Sequence, residues 1–406
     1  MPSIRTIVIA VVCFLIIIPR YAPCQLLASS EFKVITSADI TTGAGRMSLY
    51  LPEIKGKRVA IVANHASLVN KTLLPDTLLA LGIKITKIFA PEHGFDGLQD
   101  AGAMVKDGKY RTASISIVSL YGEHNKPAPE DLKDVDVVLY DLQDVGVRFF
   151  TYITTLHNVM EACAENNKER IVLDRPDPNG YYVDGPVLDE KYKSMAGADP
   201  VPIVYGMTAG EYAQMLNGEK WLKNGEQCNL KCIPVEGYTH KMLYQLPVNP
   251  SPNLKDMTAV YLYPSLGLFE GTVISVGRGT DTPFEIIGAP ELQNGTYSFT
   301  PESRPGATNP PYKGQKCSGY NLKTFGDIMI KNYQKLYLFW LKATYGYYPD
   351  KTKFFNSYFV RLAGNDMLQK QIVSGLSDEE IRKSWEPALN NFKGIRKKYL
   401  LYPDFK

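Results

Sequence analysis

Short apolar runs alternate with amphipathic segments through the first half of the chain. Runs at residues 57–63, 83–89, 114–120, 135–142 and 170–173 predict five strands. Residues 72–81 and 148–166 carry apolar side chains at helical spacing and predict two helices, and a capping box at residues 208–211 predicts the start of a third. This alternation is typical of an α/β fold in which helices cover both faces of a parallel sheet.

The second half of the chain is mixed and begins after a proline-rich stretch at residues 246–253. Prolines in this number favour a domain junction. We therefore expect a Rossmann-like domain over residues 31–250 and a smaller α+β domain over residues 251–406 that closes a cleft. In the second domain, residues 272–276 and 296–300 predict strands, residues 325–345, 366–374 and 377–399 predict helices, and residues 301–316 predict a long loop.

The first 24 residues predict a signal peptide. Arg5 precedes an apolar run at residues 7–18, which is shorter than the ~20 residues a membrane-spanning helix needs. We expect an exported protein, either periplasmic, secreted or an outer-membrane lipoprotein, with no membrane span after processing. Cys24 could carry a lipid anchor, although Tyr21-Ala22-Pro23 matches the usual pattern poorly, and a retained N-terminal anchor is a further alternative.

Composition and motifs argue against three kinds of binding partner: nucleic acid, a metal ion and a dinucleotide cofactor. The net charge is +3 and the basic residues are dispersed, which argues against nucleic acid. Cys228 and Cys232 have a metal-knuckle spacing, but no second Cys or His pair lies near them, so no metal is expected. The turn after the first strand has no Gly-x-Gly-x-x-Gly sequence, which argues against a dinucleotide cofactor.

Polar residues follow each predicted strand of the sheet. In open parallel sheets, ligands bind beyond the carboxyl ends of the strands. The candidates there, in chain order, are Asn64, Glu92, His93, Tyr121, Gln143, Asp144, Arg148 and Arg175. We expect them to form one polar cleft.

Glu92 is the strongest candidate for a general acid. It lies directly beyond a strand, where partial burial would raise the pKa of its carboxyl into a useful range. His93 could orient or polarise a substrate. Asp144 could act on the substrate or cap the helix that follows, and Arg148 could bind a carboxylate through two parallel hydrogen bonds.

A second group of candidates lies in the second half of the chain. Arg278 stands between two glycines in a loop with the composition of a binding loop, and Glu270 and Glu285 flank it. Two carboxylates are the usual requirement of a glycosidase. Zinc-protease, nucleophile-elbow and P-loop signatures are absent from the sequence.

Several motifs together resemble the exo-β-N-acetylmuramidase family of glycoside hydrolases. They include residues 91–97 (PEHGFDG), 119–122 (SLYG), 141–152 (DLQDVGVRFFTY), 173–180 (LDRPDPNG), 206–211 (GMTAGE), 250–253 (PSPN), 268–272 (LFEGT) and 277–290. They occur in the family's order from about residue 35 to the C-terminus, which makes the series specific.

The resemblance implies a Rossmann-like domain, a smaller C-terminal domain and an active site between them. It implies release of terminal N-acetylmuramic acid from a peptidoglycan-derived glycan or muropeptide, with Glu92 catalytic and no cofactor. Tyr152, within one of the motifs, becomes a candidate substrate contact. The partner of Glu92 stays open among Asp144, Glu270, Glu285 and the 2-acetamido group of the substrate.

The sequence departs from the family's motifs at two places, and two alternative functions stay open. Residues 64–67 (NHAS) lack the glycine that the family has after the first strand, and residues 301–317 differ from the family's shorter loop. A non-catalytic envelope protein that binds a glycan or muropeptide would use the same cleft. A hydrolase acting on another terminal N-acetyl amino sugar is the other alternative.

Overall fold

The computed structural model describes residues 32–104, 107–111, 115–330 and 333–405, with the backbone alone at 329–330. The predicted signal peptide and Cys24 lie outside these ranges. Within them, no helix combines the length and hydropathy that a bilayer crossing requires.

Fourteen strands occur in the described ranges. They are β1 Lys33–Ile35, β2 Arg58–Ala63, β3 Leu68–Val69, β4 Thr72–Leu73, β5 Lys84–Ala90, β6 Gly108–Tyr110, β7 Ile115–Ser119, β8 Val137–Asp141, β9 Glu169–Leu173, β10 Leu230–Ile233, β11 Met242–Tyr244, β12 Ile286–Ala289, β13 Tyr297–Phe299 and β14 Cys317–Asn321.

The α-helices of the described ranges are α1 Leu51–Ile54, α2 Leu74–Ala80, α3 Pro129–Leu132, α4 Tyr152–Glu165, α5 Ala209–Gly218, α6 Met257–Leu266, α7 Lys323–Phe325, α8 Phe339–Tyr347, α9 Phe359–Ala363, α10 Met367–Val373 and α11 Asp378–Arg396. Short 3₁₀ turns lie at Gly43–Gly45, Met47–Leu49, Glu190–Tyr192, Lys223–Gly225, Gly267–Gly271, Lys351–Lys353 and Lys397–Tyr399, and a π-helical turn at Gly326–Ile330.

The central sheet has seven strands in the order β10-β9-β8-β2-β5-β7-β6, and only the edge strand β6 is antiparallel to its neighbour. All five residues of β8 are buried. Val138 and Tyr140 pack in the core beside α4 and α5, whereas Val137 and Leu139 pack in a second core with α2. Because side chains alternate across a strand, this central strand requires helices on both faces.

The second region is smaller and contains the antiparallel sheet β12-β14-β13 together with α6 to α11. The predicted fold class, a mostly parallel α/β sheet plus a smaller mixed region, is confirmed. The predicted capping box is present, with Thr208 and Glu211 at the start of α5. A second capping box, formed by Ser377 and Glu380, lies at the start of α11.

Four element predictions were wrong in extent. The predicted helix 72–81 begins only at Leu74, because Pro75 occupies its first turn. The helix predicted from residue 148 begins at Tyr152. The helix predicted over residues 325–345 is interrupted, and the strand predicted over residues 272–276 is reduced to isolated pairings of Thr272 with Phe355 and Ser275 with Gly288.

The interruption before α8 has a hydrogen-bonding cause. The Leu336 amide donates to Asp184 Oδ2 at 2.7 Å, and the Tyr337 amide donates to Ser265 Oγ at 2.9 Å. These two amides are therefore held by side chains elsewhere in the fold and not by helix carbonyls. Periodicity in the sequence cannot reveal such distant acceptors.

The C-terminal end returns to the parallel sheet. Tyr402 is buried, its hydroxyl donates to Asp174 Oδ2 at 2.5 Å, and it accepts from the Val235 amide at 2.8 Å. The Arg396 side chain donates to the Gly206 carbonyl at 2.8 Å. The last residues thus pack against the carboxyl ends of β9 and β10 and tie the two halves of the chain together.

Replacement of Tyr402 by Phe should lower the free energy of unfolding by about 2 kcal/mol, because it leaves buried Asp174 and the Val235 amide without this partner. Urea denaturation of the two proteins measures the difference. Tyr297→Phe, at a side chain that is 40% exposed, is the control and should have little effect. Equal losses for the two variants would contradict the assignment.

Candidate active site

A pocket of about 320 Å³ lies at the carboxyl edge of the central sheet. One wall comes from the segments that follow β5, β7 and β8, and the facing wall comes from the second region. The polar side chains that line it are Glu92, His93, Tyr121, Thr151, Tyr152, Ser251, Tyr263, Glu270, Arg278 and Tyr358. Its size and aromatic lining are typical of a site for one small ligand group.

The Glu92 carboxyl group is buried and held by two donors. The Gly102 amide donates to Oε1 at 2.8 Å, and the Thr151 hydroxyl donates to Oε2 at 2.7 Å. Tyr121 lies beside it, and burial together with the nearby Glu92 charge raises the pKa of the Tyr121 hydroxyl above its usual range. Tyr121 therefore remains a proton donor at neutral pH.

His93 is held in an unusual backbone conformation, with φ at 70°. Its Nδ1–H donates to the Gln99 carbonyl at 2.7 Å, which leaves Nε2 as the acceptor nitrogen. Burial lowers the pKa of the imidazole, although the Glu92 charge opposes this effect. A strained non-glycine residue next to a buried carboxyl group is typical of a functional site.

The facing wall carries an ion pair between Arg278 and Glu270. The Arg278 Nε–H donates to Glu270 Oε1 at 2.7 Å, and the guanidinium lies 5.1 Å from the centre of the Phe284 ring. Burial disfavours the charge of Arg278, but the Glu270 carboxylate outweighs it and raises the pKa. Arg278 Nη1 is buried, and no acceptor in the described part of the chain bonds to it. Because Arg278 lines the pocket, this nitrogen is a candidate donor to a ligand.

Six of the twelve predicted site residues line the pocket: Glu92, His93, Tyr121, Tyr152, Glu270 and Arg278. Asn64 lies behind it, where its Nδ2 donates to the Tyr152 hydroxyl at 3.0 Å. Asn64 is therefore a support for a pocket residue and does not itself line the pocket.

Asp144 and Gln143 are placed in the interior and not in the pocket. The Asp144 carboxyl accepts from the Tyr205 hydroxyl and from the Gly146 amide, the latter at 2.8 Å, and burial raises its pKa to about 6. It does not cap the following helix. Gln143 donates to the carbonyls of Asp144 and Pro176. The expected contact of these side chains with a substrate is therefore corrected to an internal role.

The two remaining arginine candidates bind protein groups. Arg148 is fully buried, and its guanidinium donates to the carbonyls of Pro186, Val201 and Leu362 at 2.8–2.9 Å. Burial lowers its pKa to about 9. Arg175 forms a buried ion pair with Asp141, with Nε to Oδ1 at 2.6 Å. Neither arginine lines the pocket, so the expected role in carboxylate binding is corrected.

Glu285 also lies outside the pocket. It is buried, and Lys323 Nζ donates to its Oε2 at 2.9 Å. Burial raises the pKa of this carboxyl. Of the carboxylates considered as partners of Glu92, Glu270 alone shares its pocket in the described structure.

Several pocket residues were not singled out from the sequence. Thr151 lies inside a motif that was recognised, so its position next to Tyr152 was a usable signal. Gly102, Met195 and Tyr358 come from loops or a short helix boundary with no distinguishing pattern. No group of three or more potential metal ligands occurs among the described residues.

Comparison with known proteins shows the family to which this chain belongs. The family model for the N-terminal domain of the exo-β-N-acetylmuramidase NamZ matches residues 59–258 of this chain. The family model for the C-terminal domain of NamZ matches residues 261–402. The chain belongs to the NamZ family. It is accordingly a glycoside hydrolase, as the resemblance of its motifs implied.

Known relatives extend over nearly the whole chain. The peptidoglycan β-N-acetylmuramidase NamZ of Bacillus subtilis (strain 168) is 37% identical over 373 residues, which cover 87% of this chain and 89% of that protein. Two crystal structures of DUF1343 family proteins from Bacteroides fragilis NCTC 9343 are similar to this protein. Each match covers 90% of this chain and 99% of the chain in the crystal structure. Their identities are 43% and 29%, with TM-scores of 0.83 and 0.75.

Residues 64–67 lack the glycine that the family has after the first strand, and local hydrogen bonds stabilise the turn without it. In the turn after β2, the Asn64 side chain accepts from the Ala66 amide at 3.0 Å, and the Asn64 amide donates to Ser67 Oγ at 3.0 Å. His65 packs against Gly97, where an added Cβ would lie 2.1 Å from the imidazole Nδ1. Side-chain hydrogen bonds thus shape a turn that has no glycine.

The internal role of Asp144 predicts a pH dependence of stability. Its carboxyl has a pKa of about 6 in the folded state instead of 3.8, so the folded state binds this proton more tightly than the unfolded state. Its contribution to stability is present below pH ~4 and is lost as the pH rises through ~6.

Asp144→Asn removes that titration. Relative to wild type, the free energy of unfolding of the variant should rise by about 2 kcal/mol between pH 4 and pH 7. Urea denaturation at both pH values measures this change. A loss of stability that the substitution causes equally at both pH values does not affect the comparison. Asp281→Asn, whose side chain is 81% exposed, is the control. A difference that does not depend on pH would contradict the assignment.

Proposed function

We propose that this glycoside hydrolase releases N-acetylmuramic acid from the non-reducing ends of peptidoglycan fragments, with Glu92 as the general acid. The observation that carries the proposal is the pairing, in one small pocket, of a buried carboxyl group with a buried arginine that keeps one free donor. The named activity of the Bacillus subtilis relative supports the same reaction.

Glu92 has the fixed orientation that a general acid requires. The Gly102 amide and the Thr151 hydroxyl fix the direction of its carboxyl group. Proton transfer to the leaving oxygen depends on such fixed geometry. His93 and Tyr121 line the pocket beside it and supply hydrogen-bonding groups for the sugar.

Arg278 gives the pocket its preference for muramic acid. This sugar differs from N-acetylglucosamine by a lactyl ether that carries a carboxylate. Since Glu270 occupies Arg278 Nε and Nη1 has no protein acceptor, Nη1 can donate to the lactyl carboxylate. A charge-assisted hydrogen bond of this kind contributes more than a neutral one.

The second catalytic group is either Glu270 or the acetamido group of the substrate. Glu270 shares the pocket with Glu92, but one of its oxygens accepts from Arg278. Substrate-assisted hydrolysis needs no second enzyme carboxylate as nucleophile. The Arg278 contact favours this second route, in which Glu270 acts mainly by orienting Arg278.

The predicted signal peptide supports action outside the cytoplasm. We infer that the mature enzyme works in the periplasm, on the outer membrane through a lipid on Cys24, or as a secreted protein, where peptidoglycan fragments are accessible. Its part there would be in cell-wall turnover or recycling.

Glu92→Gln should reduce kcat/KM for the disaccharide of N-acetylmuramic acid and N-acetylglucosamine by about a thousandfold, because the sugar alkoxide needs a proton to leave. The loss should be much smaller for 4-nitrophenyl β-N-acetylmuramic acid, whose nitrophenolate leaves readily without one. Sugar release and 4-nitrophenol release measure the two rates. Equal losses would assign a different role to Glu92, and unchanged rates would overturn the proposal.

Arg278→Met should weaken the binding of N-acetylmuramic acid by about ten- to a hundredfold and that of N-acetylglucosamine by less than about threefold. Isothermal titration calorimetry with both sugars measures this. The double variant Arg278→Met, Glu270→Gln controls for repulsion by an unpaired Glu270. Arg111→Met, at a side chain that is 65% exposed, is the neutral control. Equal weakening for both sugars would contradict the lactyl contact.

A further inference from the structure

Two buried cysteines are in contact beside the central sheet, and neither belongs to the active-site pocket. Cys163 lies in the last turn of α4, and Cys228 lies in the segment before β10. Both are buried, and both thiols are free in this structure. The Cys163 thiol donates a hydrogen bond to the Cys228 sulfur. Two sulfur atoms in such contact need only a small movement of their side chains to form a disulfide bond.

The geometry selects this pair from the four cysteines of the described ranges. Cys232 follows Cys228 by four residues in extended chain, and a rise of ~3.3 Å per residue puts their Cα atoms about 13 Å apart. A disulfide needs Cα atoms within ~7 Å. The Cys232 thiol donates instead to the Gly210 carbonyl at 3.4 Å, and Cys317 lies in β14 of the smaller region. Cys163 is therefore the partner within reach of Cys228.

A buried arginine that forms no ion pair with a described carboxylate lies beside the two thiols. Arg170, in β9, is fully buried, and its Nη1 donates to the Leu156 carbonyl at 3.4 Å. Its Nε and Nη2 have no partner in the described part of the chain. A buried cation requires an anion or a strong acceptor to offset its desolvation. The charge of Arg170 acts on Cys163 and Cys228, where it favours the thiolate form.

The same contacts make the two cysteines unequal. The hydrogen bond from Cys163 lowers the pKa of the Cys228 thiol, burial opposes this effect, and the Arg170 charge adds to it. That hydrogen bond and burial raise the pKa of the Cys163 thiol. Gln227 and Asn229, on either side of Cys228, are exposed, so an oxidant can approach from there. Cys228 is thus the attacking thiol and Cys163 the resolving thiol.

We propose that Cys163 and Cys228 form a redox-active dithiol, which a small disulfide such as oxidised glutathione converts into an intramolecular disulfide bond. The Cys228 thiolate attacks one sulfur of the oxidant, forms a mixed disulfide and releases one thiol, which takes up the proton that Cys228 has lost. Cys163 then loses its proton, attacks the Cys228 sulfur and releases the second thiol, which takes up that proton. The two cysteines are together oxidised by two electrons, and the oxidant is reduced to two thiols. This inference does not depend on the proposed function.

The disulfide bond would anchor the helix that carries part of the active site. α4 begins at Tyr152, and Thr151, directly before it, donates to Glu92. A covalent bond at the other end of α4 would hold this helix against the chain that leads into β10. It would also close a loop over residues 163–228, which restricts the unfolded chain and so stabilises the folded state.

Peptide mapping of the wild-type protein tests the pair directly. The folded chain is incubated with oxidised glutathione, free thiols are blocked with iodoacetamide in denaturant, and unreduced proteolytic peptides are identified by mass spectrometry. We expect one pair of peptides joined through Cys163 and Cys228, with Cys232 and Cys317 blocked. The Tm, measured by differential scanning calorimetry, should rise by about 5 °C on oxidation and return after addition of dithiothreitol.

Two serine variants distinguish the roles of the cysteines. Cys163→Ser should accumulate glutathione on Cys228, because no resolving thiol remains, whereas Cys228→Ser should leave Cys163 unmodified. Cys232→Ser is the matched control and should form the disulfide as the wild type does. Absence of the linked peptides from the oxidised wild-type protein would overturn the proposal, and so would a disulfide to Cys232. The wild-type map decides the matter even if a serine variant fails to fold.

Discussion

Charged side chains are buried all along the carboxyl edge of the parallel sheet, and the rest of the structure is organised around the need to pair them. An isolated buried charge costs several kcal/mol, so each one requires a partner. Asp141 has Arg175, and Arg148 has three backbone carbonyls. These partners come from other loops or from the second region. The edge therefore becomes a rigid platform for Glu92, which receives its donors from an amide and a hydroxyl.

The same constraint explains which parts of the site the sequence could predict. The succession of strands along the chain and the presence of polar residues directly after them follow from local patterns, and the structure places Glu92 and His93, two of those residues, in the pocket. Pattern alone cannot distinguish a polar side chain that faces a cleft from one that turns inward to a partner. Arg148 and Arg278 are both arginines near glycines, and each has one buried side-chain nitrogen without a partner in the described structure, but only Arg278 lines the pocket. Its identity depends on tertiary contacts that a single sequence does not contain.

The C-terminal residues pack against the first half of the chain, which explains why the two halves hold the pocket in one shape. Tyr402 reaches the loop after β9, and the Leu401 amide donates to Glu211 Oε1 at 2.8 Å in the first half. The described residues from 32 onward form one compact unit. Helical periodicity predicted the last helix, but the acceptors at its end lie about 190 residues earlier in the chain. Long-range pairs of this kind are beyond any local pattern.

The size of the pocket provides a physical basis for the exo-action that we propose. The pocket has a volume of about 320 Å³, and Phe149, Tyr263 and Leu362 are among the residues that line it. A volume of this size holds about one sugar unit, so in the proposed function the terminal residue of a glycan is the part that reaches Glu92. In this proposal the selectivity for chain ends follows from the shape of the pocket, and the selectivity for muramic acid follows from one unpaired arginine nitrogen.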